Sequence, residues 1–405
     1  MNTTSYSAEH PRKRDRRMLL LVLFALLLTA TAVVARRVLT GAPVQTGSAT
    51  PAAPAHRLAY DAGGPPWPMF RGNPALTGVT QATLPDHPKL AWTFKTGGAI
   101  RGSPAIVGDH VYVASTDYSL YALNTDGSKL WEFKTGAPIE SSPCVAGKTV
   151  FIGGGDNMLY AVDADTGTQR WRYETQGEIK GSPNCIDGKV LAGSYDNKLH
   201  CVDAETGKSI WTFDTSNYIN GAPAISGGIV AFGGCDGTLH AVSIKDGTAV
   251  SGVYAANPIA ASPALSGDMA YFGHYGNEVV AADMKKEEVL WTYKDAHEFP
   301  FFSSPAVTDK CVIIGGGDKR VHCLDRETGK EFWAFTTRGK VDSSPVVAGG
   351  RILVGSGDGR IYILSMKGEE LWSYEIGSPV DSSPAVAGGI FLIGSNDGVL
   401  YAFGE

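Results

Sequence analysis

Short runs of alternating apolar and polar residues, separated by turn segments rich in Gly and Asp, dominate the chain after about residue 100. One complete unit has four such runs, which we predict as strands at residues 142–146, 149–153, 158–163 and 169–175. β-branched and aromatic residues fill the runs, and Gly-Lys, Gly-Gly-Asp-Asn and Asp-Thr-Gly segments separate them, as β-hairpins require. The pattern predicts four-stranded antiparallel units.

The unit repeats with a period of about 40 residues. A proline that follows a small residue recurs at intervals of 39–42 residues, at Pro104, Pro143, Pro183, Pro223, Pro263, Pro305, Pro345 and Pro384. Tryptophans keep the same period, at Trp92, Trp131, Trp171, Trp211, Trp291, Trp333 and Trp372, with Ser251 in the gap. Four strands per period, repeated eight times without helices, are typical of a β-propeller. We therefore predict an all-β, eight-bladed propeller.

The ends of the repeat predict how the ring closes. After Pro384 the chain has only three further strands, at residues 383–387, 390–394 and 399–403. The missing outer strand with its tryptophan lies at the other end, at residues 90–96. This N-terminal strand is expected to complete the eighth blade, which removes the open sheet edges of an incomplete ring.

The outer strands carry a recurring Ala161-x-Asp163-x-x-Thr166-Gly167-x-x-x-Trp171 frame, and residues 67–78 read Trp-Pro-Met-Phe-Arg-Gly-Asn-Pro-x-x-Thr-Gly. Over residues 67–405 the chain resembles the PQQ-like (quinoprotein-type) β-propeller repeat family through this tryptophan-docking motif. The resemblance implies the propeller fold, with the seven repeat tryptophans as structural docking residues. Members of that family include quinone-dependent dehydrogenases and non-enzymatic propellers such as the outer-membrane assembly factor BamB, so the resemblance specifies fold more than activity.

The N-terminal region differs from the repeats. Residues 1–17 form a basic segment, and residues 18–35 form an uncharged apolar run of 18 residues, the minimum length for a membrane-spanning helix. The positive-inside rule keeps the N-terminus in the cytoplasm and exports the rest. We expect a bacterial inner-membrane anchor with the propeller in the periplasm or outside; the alternative is a signal peptide cleaved near Ala30-Thr31-Ala32 and a protein secreted to the periplasm. Residues 36–66 are predicted to be a flexible linker.

Charge and cysteine content exclude some functions. The net charge is −6, and the basic N-terminal 37 residues leave residues 38–405 with 28 basic and 39 acidic side chains. A body this acidic lacks the basic surface that nucleic acid requires, so nucleic acid is not an expected partner. The six cysteines have no metal-binding spacing, and we expect no metal site. Cys311 and Cys323, on adjacent strands of one hairpin, are the pair that we consider for a disulfide.

Function is sought where the blades differ. Three residues before each repeat proline, the equivalent positions carry Arg101, Glu140, Lys180, Asn220, Ala260, Phe302, Asp342 and Asp381. These residues precede the innermost strands, so they are expected to surround one mouth of the central channel. Such a ring of mixed charge is either a binding site for a polar ligand or a solvated channel mouth.

One sector departs from the repeat. Gly276-Asn277 replaces the usual Asp turn, with His274 and Tyr275 beside it, and the next connection is two residues longer and contains Phe299, Phe301 and Phe302. An exposed phenylalanine cluster would mark a protein interface, and sequence drift is the alternative. His274, Tyr275, Phe299, Phe301 and Phe302 are therefore the candidate partner-binding residues.

The leading hypothesis is a non-enzymatic, membrane-tethered propeller that binds or assembles other envelope proteins and has no cofactor. The alternative, which the resemblance implies, is a PQQ-dependent dehydrogenase with quinone and Ca²⁺ over the channel mouth. Three features disfavour the enzyme. No two cysteines are adjacent, whereas alcohol dehydrogenases of that family typically carry a vicinal disulfide. The sequence has no CxxCH haem site, and no blade has an insertion that could cover a cofactor.

Overall fold

The computed structural model describes residues 60–405 of the chain. The predicted basic segment, the apolar helix and most of the linker lie outside the described residues. Within residues 60–405, no helix is long and apolar enough to cross a bilayer. The last residues of the predicted linker contact the propeller: the Asp61 amide donates to the Gly388 carbonyl at 3.1 Å, and the Tyr60 hydroxyl donates to the Gly108 carbonyl at 2.5 Å.

Eight antiparallel sheets of four strands confirm the predicted eight-bladed propeller. Blade 1 consists of β3 (Ala105–Val107), β4 (His110–Ser115), β5 (Ser119–Asn124) and β6 (Lys129–Lys134), and blade 2 of β7 (Cys144–Ala146), β8 (Thr149–Gly153), β9 (Met158–Asp163) and β10 (Gln169–Glu174). Blade 3 consists of β11 (Asn184–Ile186), β12 (Lys189–Gly193), β13 (Lys198–Asp203) and β14 (Ser209–Asp214), and blade 4 of β15 (Ala224–Ser226), β16 (Ile229–Gly233), β17 (Thr238–Ser243) and β18 (Ala249–Tyr254).

Blade 5 consists of β19 (Ala264–Ser266), β20 (Met269–His274), β21 (Glu278–Asp283) and β22 (Glu288–Lys294), and blade 6 of β23 (Ala306–Val307), β24 (Cys311–Gly315), β25 (Arg320–Asp325) and β26 (Glu331–Thr336). Blade 7 consists of β27 (Val346–Ala348), β28 (Arg351–Gly355), β29 (Arg360–Ser365) and β30 (Glu370–Glu375), and blade 8 of β31 (Ala385–Ala387), β32 (Ile390–Gly394), β33 (Val399–Gly404) and the N-terminal strand β2 (Lys89–Lys95). A short strand, β1 (Val79–Thr80), adds to blade 7 by parallel pairing with β27.

The ring closes as predicted. The outer strand β2 pairs antiparallel with the C-terminal strand β33, with Trp92 opposite Ala402 and Lys95 opposite Val399. Because the first and last strands of the repeat region share one sheet, the closed ring has no unpaired blade edge at this joint.

Burial follows the position of each strand in its blade. The second strand is almost wholly buried, as in β8, whereas the outer strand alternates, as in β10. The inner strands therefore read as nearly continuous apolar runs and the outer strands as period-two patterns, because only the outer strand has one face in water. The apolar core lies between neighbouring blades, where the sheet faces pack.

The tryptophans join each blade to the next. The Trp171 indole nitrogen donates to the Ala204 carbonyl at 3.0 Å, and its ring covers Gly207, where a Cβ atom would lie 2.7 Å from the ring. Gly207 also has a φ of +70°, a conformation that favours glycine. Trp372, which faces the joint, packs instead against Phe391 and Phe403, with ring centroids 6.0 and 5.5 Å away.

The cysteine pairing differs from the pair that we considered. Cys311 and Cys323 are free, buried thiols, whereas Cys144 and Cys185 form a disulfide. Cys144 begins β7 and Cys185 lies in β11, so the bond joins the innermost strands of blades 2 and 3. Innermost strands of adjacent blades converge on the channel, and the two Cα atoms are 6.5 Å apart.

Residues 67–80, the lead-in loop, close the channel at its end opposite the predicted mouth. Their backbone meets the innermost strands of the blades in order around the ring. The amides that donate to the loop, at 2.7–2.9 Å, are those of Ile106, Val145, Ile225, Leu265, Val307 and Val347, and the accepting carbonyls are those of Trp67, Pro68, Pro74, Ala75, Thr77 and Gly78. The sequence pattern did not predict this arrangement, because the loop occurs once and has no repeat partner.

Candidate functional site

The eight ring positions come together at one mouth of the channel. Seven of them line a single cavity of about 260 Å³, whose deeper wall consists of serines that precede the repeat prolines, together with Phe70 of the lead-in loop. The eighth, Asp381, accepts a hydrogen bond from the Asn396 side-chain amide at 2.7 Å. The turns between the second and third strands of each blade also surround this mouth. Their backbone amides donate hydrogen bonds to carbonyls two positions before the ring residues, and the Tyr195 amide, for example, donates to the Glu178 carbonyl at 2.9 Å.

Most charges of the ring are paired with a neighbour. Arg101 contacts Glu140 at 3.0 Å, and Lys180 contacts Glu178 at 3.2 Å. Lys340 pairs with Asp342, and this hydrogen bond raises the pKa of Lys340. Because these pairs are partly exposed, they contribute little to stability and leave the mouth with a mixed polar surface.

Five aromatic side chains lie along one side of the mouth, from blade 3 to blade 6, and we call them the aromatic arc: Tyr195, Tyr218, Tyr275, Phe299 and Phe302. Tyr195 and Tyr218 stack with centroids 4.8 Å apart, and Tyr275 meets Phe302 edge to face, also at 4.8 Å. Tyr218, Tyr275 and Phe299 remain 48%, 52% and 49% exposed, respectively. The arc is thus a half-exposed apolar surface beside the polar cavity.

Two predicted partner-binding residues are inside the protein, which corrects the sequence interpretation. Phe301 and His274 are each only 1% exposed. Phe301 stands one position before the ring and packs onto Gly273, where a Cβ atom would lie 2.5 Å from that of Phe301. The other blades fill this position with Ile100, Ile139, Ile179, Ile219, Ile259, Val341 and Val380, all of them buried. Phe301 is therefore a core residue.

Sequence reasoning also missed Tyr195 and Tyr218. Tyr195 occupies the turn position that Gly155, Gly317 and Gly357 fill in other blades, and its hydroxyl donates to Asn220 Oδ1 at 2.7 Å. Lys180 lies 5.1 Å from the centre of the same ring. The substitution of a turn glycine by tyrosine was visible in the sequence and could have identified this part of the arc.

Asp295, Asp318 and His322 form a cluster whose oxygen and nitrogen atoms could together contact a metal ion. Its members already have protein partners, because His322 Nε2 lies 3.1 Å from Asp318 and His322 Nδ1 lies 2.8 Å from Glu331. In blade 2 the Tyr160 hydroxyl makes the equivalent bond to Asp156 at 2.6 Å. An interchangeable His or Tyr at this position indicates a structural pair that anchors the turn.

The turn aspartates also hold each blade to the preceding connection. In blade 2, Asp156 Oδ1 accepts from the Met158 amide at 3.3 Å within its own turn. Its second oxygen accepts from the Gly136 amide at 2.6 Å in the connection from blade 1. The turn aspartates therefore have a structural role, because both carboxylate oxygens accept backbone hydrogen bonds.

Solved structures with this architecture include BamB and quinoprotein or methanol dehydrogenases. BamB from Moraxella catarrhalis superposes with a TM-score of 0.67 at 21% sequence identity, covering 79% of this chain and 98% of that one. A europium-containing methanol dehydrogenase gives 0.70 at 15% identity, covering 86% and 99%. The quinohemoprotein alcohol dehydrogenase from Comamonas testosteroni gives 0.72 at 13% identity, covering 84% and 81%. At these identities the similarity establishes the fold alone.

The sequence itself specifies the family more closely. No curated protein sequence matches the chain. A family profile described as outer membrane protein assembly factor BamB matches residues 77–184, 179–298 and 294–404, which together span the repeat region. The chain therefore belongs to the family of β-propellers described as outer membrane protein assembly factor BamB.

Proposed function

We propose that the protein is a non-enzymatic scaffold of the bacterial envelope, tethered to the inner membrane by residues 18–35, whose propeller binds another envelope protein through the channel-mouth face. The aromatic arc supplies apolar contacts, and the partly exposed charged residues of the ring border it. Interfaces typically combine aromatic side chains with a polar rim in this way.

Phe299 is the observation that carries this proposal. It lies three positions before the ring residue of blade 6, where the other blades have only small or polar residues, namely Gly98, Ala137, Gly177, Asn217, Asn257, Gly339 and Ser378. The fold therefore does not require an aromatic side chain at this position. Phe299 is nevertheless 49% exposed, and burying an apolar side chain of this size stabilises a complex by about 1.5–3 kcal/mol.

Two further features agree with an envelope location. The Cys144–Cys185 disulfide is of a kind that persists in oxidising compartments outside the cytoplasm. The family profile is described by an outer-membrane assembly factor. Both support a propeller that is exported and that works beside other envelope proteins.

The test compares two phenylalanines of similar exposure, one at the channel mouth and one on an outer strand. Phe332, on the outer strand β26, is 54% exposed and occupies a position where sister blades carry Leu130, Ile210, Val250, Leu290 and Leu371. The full chain is cross-linked to its partner in intact cells, the partner is identified and purified, and the dissociation constant is measured for wild type, Phe299→Ser and Phe332→Ser.

The Phe299→Ser variant should raise the dissociation constant about 30-fold, the effect of removing an aromatic hot spot worth about 2 kcal/mol. The Phe332→Ser variant should bind like the wild type, and both variants should melt within about 1 °C of it. Equal binding by the two variants would refute the assignment of the mouth face.

A second candidate, a quinone-dependent dehydrogenase, is favoured by one detail. Asp381 Oδ1, at the eighth ring position, and Asn396 Oδ1, in the turn that contacts it, are buried, and neither has a hydrogen-bond donor among the described residues. Oxygen ligands of this kind suit Ca²⁺. The fit to the quinone is poorer, because the described disulfide joins β7 and β11 and is not a vicinal pair at the mouth.

Calorimetric titration of the full chain with PQQ and Ca²⁺ separates the two candidates. The scaffold assignment predicts no heat of binding. Micromolar binding that Asp381→Asn abolishes would favour the enzyme instead.

A further inference from the structure

Arg71, in the lead-in loop, is a buried cation without a partner. The side chain is 1% exposed, and none of its three guanidinium nitrogens has a hydrogen-bond acceptor within residues 60–405. The guanidinium packs against Gly78, where a Cβ atom would lie 1.9 Å from Nη2, so the loop leaves room for this side chain only by using glycine there. No described carboxylate forms an ion pair with Arg71. An uncompensated buried charge is strongly destabilising.

The charge of Arg71 persists at neutral pH. Burial alone lowers the pKa of Arg71 to about 9, which still leaves the group protonated at pH 7. Its five N–H groups are all donors and it has no acceptor atom. A group that compensates the charge of Arg71 must therefore be negative.

The side chain of Phe70 lies between the described contacts of Arg71 and the mouth cavity. The Arg71 Cζ atom is 6.0 Å from the centre of the Phe70 ring, and Phe70 forms part of the cavity wall. The rest of the deeper wall contains six nearly buried serines, one in each of six blades: Ser142, Ser182, Ser262, Ser304, Ser344 and Ser383.

These serines form a directional ring of hydrogen bonds. Each hydroxyl oxygen accepts the backbone N–H of the equivalent residue in the preceding blade, as Ser304 accepts from Ser262 at 3.1 Å and Ser344 accepts from Ser304 at 2.9 Å. None of the six hydroxyl protons has an acceptor among the described residues at this level of the channel. Because the oxygens are committed to the backbone, the six O–H groups remain available as donors to the cavity.

We propose that the inner end of the channel cavity binds a small anion, which accepts hydrogen bonds from the serine hydroxyls and compensates the charge of Arg71. A cation is disfavoured beside the guanidinium, and a water molecule would supply acceptors but no charge. This site is distinct from the aromatic arc, and it does not depend on the scaffold function. The anion would also link the lead-in loop to the six blades that contribute these serines.

The site is tested on the purified full chain. Sodium phosphate, sulfate, bromide and acetate are titrated separately, and the melting temperature is followed. A specific site gives a saturable rise in melting temperature, because ligand that binds only the native state stabilises it. Phosphate and sulfate also stabilise proteins non-specifically by exclusion from the surface, so the comparison with variants decides.

The variant Ser304→Ala/Ser344→Ala removes two donors, and blade 4 shows that the fold accepts this change, since Ala222 occupies the equivalent position. It should raise the anion concentration at half-saturation at least tenfold, the effect of losing hydrogen bonds to a charged group. Ser356→Ala, a buried serine of a turn in blade 7, is the matched control and should respond like the wild type.

A crystal grown with bromide should show an anomalous peak between the serine ring and the lead-in loop. Arg71→Met should abolish both the peak and the saturable response; if this variant does not fold, the serine pair alone carries the test. A response to acetate without one to phosphate, sulfate or bromide would identify the anion as a carboxylate group. Identical responses of wild type and the serine pair, or no saturable response to any of the four anions, would overturn the proposal.

Discussion

Phe301 and Phe299 are two residues apart, and the structure predicts opposite effects of truncating them. Phe301 is 1% exposed and packs with Tyr271, Val312 and Ile314 between blades 5 and 6, whereas Phe299 is 49% exposed at the mouth. Replacing a buried phenylalanine by alanine costs about 3–5 kcal/mol, because the surrounding core only partly refills the cavity. Replacing an exposed one changes stability by at most about 0.5 kcal/mol.

The expected shift in melting temperature follows from the size of the propeller. An entropy of unfolding of about 2.1 cal/mol/K per residue over residues 60–405 converts the Phe301→Ala loss into about 4–7 °C and the Phe299→Ala loss into less than about 1 °C. Thermal melts of the full chain, monitored by tryptophan fluorescence, measure both. Equal shifts for the two variants, or a shift below about 1 °C for Phe301→Ala, would refute the assignment of Phe301 to the core.

Three further predictions concern buried groups elsewhere in the propeller. Burial by itself lowers the pKa of His322, but the carboxylates of Asp318 and Glu331 raise it above its ordinary value. The stabilisation that protonated His322 supplies is therefore complete below about pH 6.5 and is lost as the pH rises through the folded-state pKa. Urea titrations should accordingly show wild type losing stability relative to His322→Tyr from about pH 6.5 upward. Burial lowers the pKa of His200 despite Asp196, so wild type should lose stability relative to His200→Tyr in the opposite direction, as the pH falls below about 6.5. Removing the disulfide with Cys144→Ser/Cys185→Ser should cost about 4 kcal/mol by the loop-entropy relation for a separation of 41 residues, and an unchanged urea midpoint would contradict the bond.

The blade count and the closing strand could be predicted because they are repeated features. Each blade needs the same strand lengths, the same turn glycines and the same tryptophan to pack on its neighbour, so the period appears in the sequence directly. The missing fourth strand after Pro384 then predicted that residues 90–96 pair with the C-terminal strand. In the structure this strand is β2, which spans Lys89–Lys95.

The site could be predicted only in part, because two kinds of feature leave weak traces in sequence. Phe301 looked like part of an exposed aromatic cluster, although the isoleucines at the equivalent position in five other blades identify it as a core residue. The Cys144–Cys185 bond and the position of Arg71 depend on contacts between blades and around the channel. Such contacts join residues far apart in the chain, and no periodic pattern encodes them.

The role of the mouth face is tested most directly by photo-cross-linking in living cells from two positions of the same blade. Tyr275 lies on the mouth face and Asp268 lies in the exposed turn at the opposite end of β20, so a photoreactive phenylalanine at either position samples one face of blade 5. A partner that docks on the aromatic arc predicts a discrete cross-linked band from position 275, lost when Phe299→Ser is added, and none from position 268. A band from position 268 alone, or a band from position 275 that Phe299→Ser leaves unchanged, would contradict a partner site at the channel mouth.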